Sequence, residues 1–158
     1  MHVPGRYPVM TFKDDKELNE CLKWWQERLY LRDWIIHGAL KDHVYVDEKE
    51  MAGSNTFEWG LMSSCILIST AQTGETNDTV SKVCHELTLV HELLHLRLNW
   101  LQPTYSYEGS YTDAMEHQNI EKFARSLIMA KYRLPIDWFD SDYKYEEEGY
   151  VYEGCSTK

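Results

Sequence analysis

Between Asp14 and Tyr30 the apolar residues fall at Leu18, Cys21, Leu22, Trp25 and Leu29, the i, i+3, i+4, i+7 spacing that gives an α-helix one buried stripe. Three short runs of β-forming residues follow: Trp34 to Ile36, His43 to Val46 with Val44 and Val46 on one face, and Cys65 to Ser69. Gly38, Gly53 and Gly74 bound them, and Phe57 to Leu61 is a candidate fourth strand. The polar cluster Thr73 to Asp78 offers several N-caps for a helix from about Thr79 to Leu101, which Pro103 closes. A last helix is predicted from about Thr112 to Tyr132, ahead of Pro135, with Ile120, Phe123, Ala124, Leu127 and Ile128 as its buried stripe. The order α, β, β, β, α, α predicts an α+β fold with a small sheet of three to four strands.

A chain of 158 residues is enough for one domain with its own core. Composition shifts after Pro135, so residues 1–135 read as the domain and 136–158 as an acidic, aromatic tail. Asp137 to Lys158 hold seven acids against two lysines, half of the net charge of −10. That acidic balance argues against a general nucleic-acid binder, which needs cations to displace counterions from phosphate. The longest apolar runs, such as Cys65 to Ile68, fall far short of the roughly 20 residues that cross a bilayer. Met1 to Arg6 lacks the basic-then-apolar pattern of a signal peptide. Cys21, Cys65, Cys84 and Cys155 are scattered without a CxxC pair, which predicts reduced thiols and a cytoplasmic location.

The chemistry concentrates in His91-Glu92-Leu93-Leu94-His95, the HExxH pattern of zinc metallopeptidases. Four helical residues turn the chain by about 400°, so His91 and His95 face the same way and two ring nitrogens can reach one ion at about 2.0–2.1 Å. Glu92 lies about 100° round from His91, beside such an ion, where a carboxylate can take a proton from an attacking water. A shuffled chain of this composition contains the motif with a probability of about 0.03, so its setting in an apolar helix after a strand-rich segment matters. A catalytic Zn²⁺ takes three protein ligands, and the following helix offers Glu116, His117 and Glu121. Around that helix Glu116 and His117 lie about 50° to either side of the buried stripe and Glu121 about 90° from it. This disfavours Glu121 and leaves the other two tied.

The run Thr88 to Leu96, followed by Glu116 to Leu127, resembles small prokaryotic and phage metallopeptidases related to the ImmA/IrrE family. The resemblance spans roughly Trp34 to Met129. In that family the third ligand is typically a Glu seven residues before the Ala of a Phe-Ala pair, and counting back from Ala124 lands on His117. The chain departs from the family there, with a Glu one step earlier. The resemblance implies a three-His site of His91, His95 and His117, as in SprT-like zincins, with Glu116 as the alternative third ligand if the register slips. It further implies a compact zincin fold whose edge strand, Cys65 to Ser69 or Phe57 to Leu61, aligns an extended peptide. The expected activity is a zinc-dependent endopeptidase acting on an intracellular protein, with Glu92 as general base.

The remaining features have plainer readings. Cys84, seven residues before His91, reads as a buried structural thiol, and His85-Glu86 as surface because Leu89 stands where a second motif would need His. Tyr105, Tyr107 and Tyr111 are candidates to stabilise an oxyanion, and Trp24, Trp25 and Trp34 read as core or edge aromatics. Tyr143, Tyr145, Tyr150 and Tyr152 around Glu146-Glu147-Glu148-Gly149 suggest a hairpin, either a solvated acidic end or a docking strip for a basic partner. The rival function class is a non-catalytic, phage-type binding or inhibitor protein, stabilised by zinc and making contact through this tail.

Overall fold

The computed structural model describes residues 5, 7–71, 84–98, 111–139, 144–146 and 149–151. Among them the chain forms an α+β fold with three helices, a mixed three-stranded sheet and two small hairpins.

Helix α1 spans Asp15–Arg28. Asp14 caps it, its side chain accepting from the Glu17 amide at 2.8 Å, while the Glu17 carboxylate accepts from the Lys13 amide at 2.8 Å. Leu18, Cys21, Leu22 and Trp25 are buried, as the spacing predicts. The helix ends in a left-handed Tyr30, and the amides of Tyr30 and Leu31 close onto the carbonyls of Glu27 and Gln26.

Strand β1, Ile35–Lys41, runs parallel to β5, Ser63–Ser69, and β4, Gly53–Glu58, pairs antiparallel with the other side of β5. The order β1-β5-β4 makes β5 the central strand. Cys65 to Ser69 is therefore not the edge, and the edge strand Gly53–Glu58 takes in only Phe57 and Glu58 of the candidate Phe57 to Leu61. The chain leaves β4 at Trp59, whose carbonyl accepts from the Met62 amide, with Met62 at positive φ. β2, Val44–Val46, and β3, Lys49–Met51, form a hairpin turned by Asp47 and Glu48, both at positive φ. The sequence does not predict β3, because Asp-Glu lacks the Asn-Gly or Asp-Gly signature of such a turn.

Gly38 is not a strand boundary but lies within β1. A Cβ there would stand 3.0 Å from Leu18 Cγ and 3.3 Å from Leu22 Cδ1, so α1 lies directly on the strand. Asn19 fastens the contact, donating to the Gly38 carbonyl at 2.7 Å and accepting from its amide at 2.9 Å.

Helix α2, His85–Leu98, is apolar around most of its circumference, with Leu87, Leu89, Val90, Leu93, Leu94 and Leu96 all buried. It starts at His85, later than the predicted Thr79, because Cys84 precedes it as a cap. The Cys84 Sγ accepts from the Leu87 amide at 3.4 Å and the Cys84 carbonyl from the Thr88 amide at 3.0 Å. The predicted caps Thr73 to Asp78 and the stretch to Leu101 lie outside the described residues. Segment 9–12 crosses this helix start: the amides of His85 and Glu86 donate to the carbonyls of Met10 and Val9, so first-turn donors are satisfied by another part of the chain.

Helix α3, Tyr111–Tyr132, buries Ile120, Ala124 and Ile128 against α2. Phe123, expected in that stripe, is 56% exposed, because a strict four-residue row makes the contact and Phe123 falls outside it. Beyond Pro135, Trp138 and Phe139 are buried, and Trp138 stacks on Tyr7, so the core takes in the first residues of the tail. Further on, β6, Lys144–Glu146, pairs antiparallel with β7, Gly149–Val151, placing Tyr145 opposite Tyr150.

Candidate metal centre

Two helices deliver three imidazoles to one place. His91 and His95 stand one turn apart on α2, and His117 comes from the second turn of α3. Ring centroids are 5.1 Å apart for His91–His95 and for His95–His117, and 6.1 Å for His91–His117. One nitrogen of each ring lies within 4.8 Å of the other two. Tetrahedral coordination at about 2.0–2.1 Å sets neighbouring nitrogens roughly 3.4 Å apart, so each ring needs to move inward by less than about 1 Å to hold an ion. The donor set is all imidazole, which suits zinc and other borderline metals such as copper, nickel and iron. His91 and His95 are half-buried and His117 is exposed, leaving an open side toward solvent. Glu116, one residue before His117, is not part of the group.

Glu92 is buried next to this trio, 8% exposed. Burial pushes its carboxyl up to about 7, partly offset by the neighbouring His91 and His117. The sheet fixes its place. Asn55 on β4 donates to the Glu92 carbonyl at 2.8 Å and accepts from Ser64 of β5 at 2.6 Å. At Gly53 the edge strand comes so close to α2 that a Cβ would lie 2.6 Å from Thr88 Cγ2, 3.1 Å from the Leu67 carbonyl and 3.4 Å from Glu92 Oε1. Neither Asn55 nor Gly53 announces this in sequence, since a strand Asn and Gly read as weak strand formers.

Glu121, disfavoured by the helical wheel as a ligand, touches the site in another way. Its Oε2 lies 3.0 Å from His91 Nδ1, and its Oε1 accepts from Arg125 Nε at 2.8 Å. The bond to His91, helped by Arg125, holds this carboxyl below the usual range. An open cleft of about 450 Å³ beside the trio is lined by His91, His117, Gln118, Glu121, Lys122 and Arg125.

His85 and Glu86 are not surface residues. His85 is 3% exposed and Glu86 fully buried, because α2 is enclosed by the sheet, α1, α3 and the segment 9–12. His85 Nδ1 accepts from the Phe12 amide at 3.0 Å, and burial lowers the pKa of this ring. Glu86 accepts from Trp25 Nε1, Tyr132 OH and the Val9 amide, and pairs with Lys131. The Lys131 ammonium also sits 3.9 Å from the centre of a Trp24 ring. Cys84 is a buried thiol raised to about 12, chiefly by burial; as a helix cap it stands apart from the imidazoles. Tyr105 and Tyr107 lie outside the described residues, and Tyr111 is described only as the first residue of α3.

No known protein family, no curated protein and no solved structure matches this chain.

Proposed function

We propose that this chain is a zinc-dependent endopeptidase of zincin type, similar to the ImmA/IrrE peptidases, that hydrolyses a peptide bond of an intracellular protein. The observation that carries this reading is the convergence of three imidazoles from two helices beside the buried carboxylate of Glu92. His91, His95 and His117 are the ligands in this reading, and bound zinc would supply a Lewis acid that polarises water and the scissile carbonyl. Glu92 receives the proton of the attacking water on a carboxylate oxygen and returns it to the leaving amine. Burial raises the proton affinity of this carboxylate, which favours its taking the proton, and an adjacent zinc ion would favour its release. Strand β4, at the sheet edge and pressed onto α2 at Gly53, offers main-chain groups to an extended substrate added as a further strand. An extended loop of a folded protein fits such an edge.

The buried carboxylate of Glu92 beside the imidazoles favours this reading over a zinc-stabilised binding protein, because a structural site has no need of a proton acceptor there. Free Cys21, Cys65 and Cys84 support a reducing, cytoplasmic setting. Among the described residues no helix is long and apolar enough to cross a membrane, and the acidic tail remains a candidate contact for a basic partner.

Glu92→Gln tests the mechanism: zinc content by elemental analysis stays at one ion per chain while cleavage of protein substrates falls by at least about 10²-fold, the lower range for losing a general base. Turnover equal to the parent refutes it.

A further inference from the structure

Glu121 sits on α3 four residues after His117, and Arg125 four residues further, so the three project from one face of the helix. The Glu121 carboxylate spans two partners, His91 Nδ1 at 3.0 Å through Oε2 and Arg125 Nε at 2.8 Å through Oε1. An ionised carboxylate only accepts hydrogen bonds, so this contact puts the hydrogen of the neutral ring on Nδ1 and leaves the lone pair on Nε2. A metal needs that lone pair. Glu121 is about one-third exposed, with a side-chain accessibility of 34%, so water competes for it; the planar guanidinium of Arg125, 28% accessible, holds its second oxygen in place.

Resting on the reading of the three imidazoles as a zinc centre, we infer that Glu121, braced by Arg125, is a positioning residue that locks His91 in the Nδ1–H tautomer and turns its Nε2 toward the ion. Glu121 is not itself a ligand. Partners of this kind typically contribute 10- to 100-fold to metal affinity.

The test titrates zinc into metal-free protein against a competing chelator of known affinity, for the parent and for Glu121→Ala, Glu121→Gln and Arg125→Leu. Glu121→Ala is expected to bind zinc about 10- to 100-fold more weakly, with the thermal midpoint of the metal-free protein unchanged. Glu121→Gln, whose amide oxygen still accepts from Nδ1–H, loses less, and Arg125→Leu falls between parent and Ala. Two spectroscopic readouts separate positioning from general weakening. The Co²⁺-substituted parent and Ala variant share one visible spectrum, and ¹⁵N NMR of metal-free parent shows His91 protonated at Nδ1, a preference that the Ala variant loses. Equal zinc affinity in Glu121→Ala overturns the inference, as does an altered Co²⁺ spectrum or a His91 protonated at Nε2 in the parent. Zinc bound and weakened by Glu121→Ala without any cleavage sinks the peptidase reading alone. Cleavage lost in Glu92→Gln, with zinc held equally well by Glu121→Ala, sinks this inference alone.

Discussion

Lys131→Met should unfold the protein more easily than any surface change. Lys131 and Glu86 form an ion pair whose side chains are 5% and 0% accessible, so neither charge has water to fall back on. Glu86 keeps three other donors, Trp25 Nε1, Tyr132 OH and the Val9 amide, but these are neutral and cannot balance a buried negative charge. Removing one member of such a pair costs about 3–5 kcal/mol, because the survivor's desolvation goes uncompensated. For a chain of this length that amounts to a drop in Tm of about 6–20 °C. Urea unfolding of zinc-free protein, followed by tryptophan fluorescence, measures it. The double variant Glu86→Gln/Lys131→Met carries no buried charge, and its Gln still accepts from Trp25 or Tyr132, so it should be more stable than Lys131→Met by about 1–3 kcal/mol. Because this network ties α2 to both α1 and α3, Lys131→Met should also weaken zinc binding, and the double variant should recover part of it. A loss below about 1 kcal/mol in Lys131→Met, or no recovery in the double variant, would show that the charge is not confined as the packing implies.

Two further outcomes follow from particular contacts. Gly53→Ala drives a Cβ to 2.6 Å from Thr88 Cγ2 and should cost about 1–3 kcal/mol in urea unfolding, while cleavage falls further than zinc affinity because Glu92 is displaced. Gly53→Ala/Thr88→Ser removes the offending methyl and should recover part of the stability, and a Gly53→Ala protein as stable as the parent refutes the close approach. His85 is buried with its pKa lowered, so below its ordinary value near 6.5 the unfolded chain binds a proton that the folded one refuses. Stability therefore falls as pH drops through 6.5 toward the lowered folded value and is fully present above 6.5. In chelator-treated protein, His85→Asn, whose side-chain oxygen can still accept from Phe12, should show a shallower loss between pH 7.5 and 5.5, and identical slopes refute the assignment.

Local spacing settled a good deal. α1 was legible from its stripe, because the spacing of Leu18, Cys21, Leu22 and Trp25 acts within two turns of the chain. The pairing of His91 with His95 followed from helical geometry alone, which left Glu116 and His117 tied as the third ligand. The hairpin of β6 and β7 was likewise a short-range matter of alternation around Glu146 to Gly149.

What the chain could not disclose locally are the contacts that span it. Whether Glu116 or His117 faces the pair depends on the angle at which α3 crosses α2, a property of packing that no single helix encodes. Glu121 looked misplaced on a wheel because the wheel scores burial, whereas its role is set by the reach of a long side chain to His91. His85 and Glu86 looked like surface since polar residues are cheapest in water; segment 9–12, Trp25, Lys131 and Tyr132, drawn from up to 77 residues away, supply the hydrogen bonds that make burial tolerable. β5 became the central strand, and β4 the edge, through long-range pairing of β5 with β1 on one side and β4 on the other, which no single strand encodes. Sequence alone dictated the local geometry of the imidazole pair, since one helical turn fixes it; only tertiary packing decided which third ring joins it, which carboxylate stays dry beside it, and which one braces it, since each depends on where two separately encoded elements meet.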